Sequence, residues 1–437
     1  MIQTYSIWGA KWARVTFLLA VLMAGLGLRP HTATASHIRA GEITAKLDTT
    51  DNAPPGSRRV FFKMVLYTDL NGVGGQTPIK QPKATIFFGD GTSSCFEGIL
   101  RNGFPGGELP IPGNTDSALN IYYFEHTYPA TGKYTVSFIG ENRNFGVLNM
   151  ENSGNQSFYI ATDVYLDPTL RGNRSAVLRA PAIDKGATGQ VFLHNPAAFD
   201  ADGDSLVFSL QPSRKVNLGA DQVVGPPSCP DGPGNNLPLP VTVPGFRYPN
   251  DQTLVPGARQ VAYAGVPVGV PADNAIFFMD PNTGQITWNA PARAGIYNVA
   301  MIIEEYRRVP LGARLIGTVI RDMQIIVAAT ANVRPTITIP EDICVIAGQT
   351  VTGNVSAVDG TGLNTVQTPV TLFAYSGIIP PATFRQTAAG PPTAQGVFSW
   401  QTQCNNVARL PYLVVFKAQD NPSPVSTTNP PLIDEKT

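Results

Sequence analysis

A short pattern, Gly-x-(Ile/Phe)-(Thr/Ser)-Trp, occurs twice in the chain, at Gly284-Gln285-Ile286-Thr287-Trp288 and at Gly396-Val397-Phe398-Ser399-Trp400. Each copy precedes a strand-like run with a tyrosine near its start. A repeated small unit centred on one tryptophan implies separate cores in series rather than one large catalytic domain. Within an alternating strand, Trp288 and Trp400 read as the core pins of β-sandwiches, a role that outweighs that of an exposed platform for stacking a sugar.

Composition fits short strands with many turns. The 437 residues include 42 glycines and 39 prolines, and only 14% are charged, against a usual fraction of about 25%. Runs rich in β-branched and aromatic residues, at 58–68, 84–88, 134–139 and 157–160, are separated by clusters of Gly, Asn, Asp and Pro. No later segment combines helical periodicity with caps at both ends. The expected fold is all-β: tandem immunoglobulin-like antiparallel β-sandwiches behind an N-terminal signal peptide.

Residues 1–35 carry that signal. Lys11 and Arg14 precede an apolar run from Val15 to Leu28, and Ala33-Thr34-Ala35 offers a small-residue cleavage site. The run is 14 residues long, short of the roughly 20 that cross a bilayer. Nothing after it is long and apolar enough to span, so no transmembrane segment is expected once the signal is cleaved, and no cysteine follows it to carry a lipid anchor. Cleavage leaves 28 basic and 31 acidic residues, a formal charge of −3, which excludes the basic footprint of a nucleic-acid binder.

The mature chain divides into three expected sandwiches, at 36–166, 167–329 and 330–437. The middle one contains a stretch, 211–275, with 12 prolines and 8 glycines, long enough for a functional or disordered loop. The four cysteines allow three pairings in an exported chain. A disulfide between Cys344 and Cys404, within one sandwich, is expected; Cys95 with Cys229 would cross a boundary.

The sharpest chemical feature is Asp200-Ala201-Asp202-Gly203-Asp204. Carboxylates at alternate positions of a loop can converge on one hard cation, and calcium suits them if backbone carbonyls or further acids such as Asp167 or Asp184 complete its six to eight oxygens. The competing reading is a turn whose Asp side chains bond nearby amides. An EF-hand is excluded, because Gln211 stands where the glutamate is needed. In Gly89-Asp90-Gly91 the turn reading is the stronger. His126 and His194 lie in different sandwiches with no Cys or carboxylate at ligand spacing, so both are expected to be structural. Glu304 and Glu305 are adjacent on a strand and point to opposite faces, which argues against a glycosidase pair; they read as a strand end near Arg307 and Arg308. No zinc-protease, nucleotide-loop, nucleophile-elbow or dinucleotide motif occurs, and no enzyme activity is expected.

Phe87-Phe88-Gly89-Asp90-Gly91-Thr92, His126-Thr127-Tyr128 and Gly132-Lys133-Tyr134-Thr135-Val136 resemble the PKD domain, an immunoglobulin-like sandwich. Phe87 and Phe88 replace that family's usual Trp, and 93–123 is a longer insertion than usual. Tyr128, before a turn and a strand, suits a corner tyrosine whose hydroxyl ties back to the backbone. The segments 199–208 and 282–288 are similar to cadherin-like and putative immunoglobulin repeats of bacterial surface proteins, and 330–424 repeats the scheme in degraded form. Together with 36–43, 302–307 and 398–404, these stretches resemble the N-terminal parts of gliding-motility-associated surface proteins of Bacteroidota. That resemblance implies type IX secretion, cell-surface attachment and further sequence beyond Thr437. The expected function is a non-catalytic structural and adhesive region, secreted or at the cell surface, meeting an extracellular protein or glycan. The alternative is a calcium-dependent glycan-binding accessory region of a larger polysaccharide-degrading enzyme.

Overall fold

The computed structural model describes residues 38–50, 56–71, 81–94, 98–140, 142–170, 172–217, 239–263, 273–360 and 366–437. The expected signal peptide, Cys95 and Cys229 lie outside them. Among the described residues there is no α-helix, only three short 3₁₀ turns, and no helix is long and apolar enough to cross a membrane. The fold is all-β, built from several separate, mostly antiparallel sheets.

Alternation sets the strands. In Arg59–Asp69, Val60, Phe62, Met64 and Leu66 are buried while Phe61, Lys63 and Val65 between them are only partly covered. Thr350–Val358 alternates without a break, burying Val351, Gly353, Val355 and Ala357. The C-terminal sandwich follows from such strands. One of its sheets runs Thr336–Thr338, Thr350–Val358, Thr393–Gln401, Thr383–Ala389; the other runs Val370–Tyr375, Val415–Asp420, Ile433–Lys436. Ile337, Leu372, Phe398, Trp400 and Phe416 fill the space between them.

The two expected sandwiches before it are not separate. The strand Gly312–Ala328 pairs with Gly295–Val309 on one side, and on the other with Ile38–Leu47 (Ala40 opposite Met323) and Phe158–Leu166 (Gly317 opposite Val164). One ten-stranded sheet therefore crosses position 166, and the core around Trp288 takes in Ala40 and Tyr67 from the first expected module. The cause lies in the strand itself. From Ile316 to Gln324 every residue of it is buried, so both faces and both edges must be covered, which a sheet edge cannot provide.

Buried ion pairs reinforce the continuity. Arg143 meets Asp322 through two bonds of 2.7 and 2.9 Å, and Arg321 meets Glu42 at 2.9 Å. All four side chains are buried. Of the long Gly/Pro stretch, 239–263 is partly packed onto the rest of the chain: Val241–Thr242 pairs with Arg214–Lys215, and Val243, Val255 and Ala258 are buried.

Both tryptophans are core pins. Trp288 stands edge-on to Tyr297 at 4.9 Å and Trp400 to Tyr412 at 5.0 Å, so the repeated motif builds the same ring pair twice. Each tyrosine hydroxyl returns to the backbone, Tyr297 to Arg293 O (2.8 Å) and Tyr412 to Asn406 O (3.0 Å).

Candidate metal centre

The acidic loop joins strands Ala198–Phe199 and Ser205–Gln211, and Gly203 supplies the left-handed bend at φ +79°. Asp200 Oδ1 accepts the backbone N–H of Asp202 (2.9 Å) and of Asp204 (2.8 Å), which closes the turn. This folding brings one carboxylate oxygen from each aspartate within 4.8 Å of the others.

Two arginines meet these acids. Arg174 donates from Nε (2.9 Å) and Nη2 (2.7 Å) to Asp202 Oδ1, and from its backbone N–H to Oδ2 (2.7 Å). Arg307 donates from Nε to Asp204 Oδ1 (2.9 Å) and from Nη2 to Oδ2 (2.5 Å), with Asn173 Oδ1 taking another Nη2 proton at 2.8 Å. Glu305 lies beneath, fully buried, accepting the Ala176 N–H and Asn173 Nδ2 (2.9 Å). Its neighbour across the sheet is Gly317, where a Cβ would stand 2.5 Å from Glu305 Oε2, so the missing side chain makes the acid's space. Burial pushes the Glu305 carboxyl up to about 7, with repulsion from Asp200 and Asp204 added. Burial, with repulsion from Asp204 and Asp202 added, pushes Asp200 up to about 6.

The donors fit calcium poorly as they are arranged. Arg307 takes both oxygens of Asp204, and the Arg174 guanidinium and backbone N–H take Asp202 Oδ1 and Oδ2, leaving Asp200 Oδ2 as the buried carboxylate oxygen of the loop without a hydrogen-bond partner. Neither further acid arrives. Asp167 accepts from Thr169 and pairs with Arg314 at 2.7 Å, and Asp184 is held by His194 and Lys417. A cation here would have to displace an arginine to collect the six to eight oxygens it takes.

The remaining sequence candidates fall into place individually. Asp90 Oδ1 accepts from the Thr92 amide (3.0 Å) and hydroxyl (2.6 Å), and its other oxygen meets His126 Nε2 at 2.7 Å. His126 stacks on Phe88, and Tyr128 donates to Phe88 O at 3.0 Å, as a corner tyrosine should. Spacing gave no hint of a carboxylate beside either histidine, yet Asp90 and Asp184 supply one each. Glu304 is half-buried on the face opposite Glu305, so the two acids do not converge. Arg307 serves Asp204 rather than either glutamate.

Cys344 and Cys404 are free and exposed, so the expected disulfide is not formed in this structure.

A scan against protein families matches none, and a search of curated proteins returns no relative.

Proposed function

We propose that residues 36–437 are a non-catalytic structural and adhesive region of an exported surface protein, holding and spacing other modules outside the cell. The observation that carries this reading is the continuity of the β-architecture: a shared sheet and buried ion pairs tie together stretches that the sequence presents as separate beads. A stretch tied in this way resists bending, which is what a spacer needs. The PKD-like and cadherin-like motifs, the signal-like N-terminus and the resemblance to gliding-motility-associated proteins support the extracellular setting. In the producing cell, deletion of 36–437 is expected to reduce attachment to surfaces and to leave polysaccharide hydrolysis unchanged. Lost hydrolysis with intact attachment would overturn this reading.

That second outcome belongs to a calcium-dependent glycan-binding accessory region. One feature favours it: Tyr123, 55% exposed on strand Ser117–Thr127, presents a ring that a sugar could stack on. Retention of 36–437 on an insoluble polysaccharide, lost in Tyr123→Ala, is the result this alternative requires.

A further inference from the structure

Where the C-terminal sandwich meets the rest of the chain, three side chains that can form an amide are enclosed together. Lys417, on strand Val415–Asp420, is buried and directs Nζ at both carboxylate oxygens of Asp184, at 2.6 and 2.7 Å. Glu435, on the adjacent strand Ile433–Lys436, places Oε2 3.7 Å from the same Nζ. Glu435 Oε1 is held by Gln285 Nε2 at 2.9 Å, while its buried Oε2 has no hydrogen-bond partner. His194 Nδ1 lies 2.7 Å from Asp184 Oδ2 and steadies that carboxyl from the other side. The Tyr375 ring stands 5.7 Å from Nζ, and Ala180, Ala197 and Val415 form an apolar wall nearby.

We propose that Lys417 and Asp184 condense in the folded protein into an amide between Nζ and Cγ, with Glu435 as the proton carrier. An amine 2.6–2.7 Å from both oxygens of one carboxyl lies about 3 Å from its carbon, the separation of a near-attack pair. In that pose the amine lies near the carboxyl plane, and rotation about the Asp184 Cβ–Cγ bond turns the carbonyl face toward it. The chemistry balances without a co-reactant. A proton passes from the ammonium to the carboxylate, giving a neutral amine and a carboxylic acid. Nζ forms a bond to Cγ, the Cγ–OH bond breaks, and Glu435 moves a proton from nitrogen to the departing hydroxyl. One water leaves and Glu435 ends as it began. Enclosure keeps bulk water from the product.

The bond would join residues 233 apart in sequence and seal the C-terminal sandwich to the preceding sheet. This goes beyond the spacer reading and holds whatever the region displays. The test is a tryptic digest of the purified, denatured full chain read by mass spectrometry. The expected product is a branched species in which peptide 180–185 is attached to peptide 410–436, uncut at Lys417 and lighter than the sum by one water. Separate 180–185, together with cleavage after Lys417, would overturn the proposal. Asp184→Ala must abolish the branched species. Glu435→Gln, refolded from denaturant and sampled over time, is expected to slow its appearance by about 10²-fold or more, the size of a lost general acid–base. An unchanged rate there would remove Glu435 from the reaction, and a branched species persisting in Asp184→Ala would place the bond elsewhere.

Discussion

Asp200, Glu305 and Asp420 share one trait: each carboxyl is buried and is pushed up, to about 6, 7 and 7. In the unfolded chain such groups titrate near pH 4, so the folded chain keeps protons that the unfolded one releases between about pH 4 and pH 7. The stability these groups contribute is complete below that window and is lost as pH rises through it. Asp116 and Asp167, held down to about 2, act in the opposite sense, and their contribution is lost as pH falls from 4 toward 2. The thermal midpoint is therefore expected to be highest near about pH 4–5 and to decline toward pH 8; a rise over that second interval, followed by calorimetry, would contradict the assignment. The acidic loop gives a second residue-scale prediction. With Arg174 and Arg307 already on Asp202 and Asp204, the midpoint is expected to be the same in calcium and in chelator. A calcium-dependent rise that vanishes in Asp202→Ala would mean that the ion displaces an arginine, since a ligand bound only to the native state must raise stability. The turn roles of Asp90 and Asp200 and the corner role of Tyr128 were legible in sequence because turn chemistry is local. Glu305, Asn173 and Arg174 were not, because they meet the loop from distant parts of the chain; the one faint signal was a run of acids and arginines from Glu304 to Arg308.

Strands were readable where β-branched and aromatic residues run together between turn clusters, as at 58–68 and 134–139, which fall on Arg59–Asp69 and Gly132–Gly140. Gly312–Ala328 is the element that crosses the expected module boundary, and its sequence carries Arg321, Asp322 and Gln324 at buried positions. Those polar residues are matched by Glu42, Arg143 and Asn144 from the first expected module, partners that no local pattern reveals. The same strand holds Gly317 opposite Glu305. Gly317→Ala is expected to force the glutamate off its bonds to Ala176 and Asn173 and to cost about 1–3 kcal/mol, the usual penalty for overpacking. Urea denaturation checks it, and a change below about 0.5 kcal/mol, within the range of neutral surface substitutions, would show that the space is not needed.

At the scale of the whole molecule, the all-β class and the C-terminal sandwich followed from composition, turn residues and the tryptophan repeat, whereas the joining of the first two modules did not. Period-two patterns specify which face of a strand is buried but not which strand lies beside it. Residues 36–437 are expected to behave as one cooperative structure, tied by the shared sheet and by buried pairs such as Arg321 with Glu42 and Lys417 with Asp184. After removal of the expected signal, only Trp288 and Trp400 remain as tryptophans, one in the extended sheet's core and the other in the C-terminal sandwich. Trp288→Phe and Trp400→Phe each leave a single reporter. The decisive measurement is urea unfolding of both variants by tryptophan fluorescence and by far-ultraviolet circular dichroism on the same samples. The two signals are expected to coincide in each variant; fluorescence transitions displaced from the dichroism curve, early for one reporter and late for the other, would mean that the parts unfold independently and that the joined architecture is wrong.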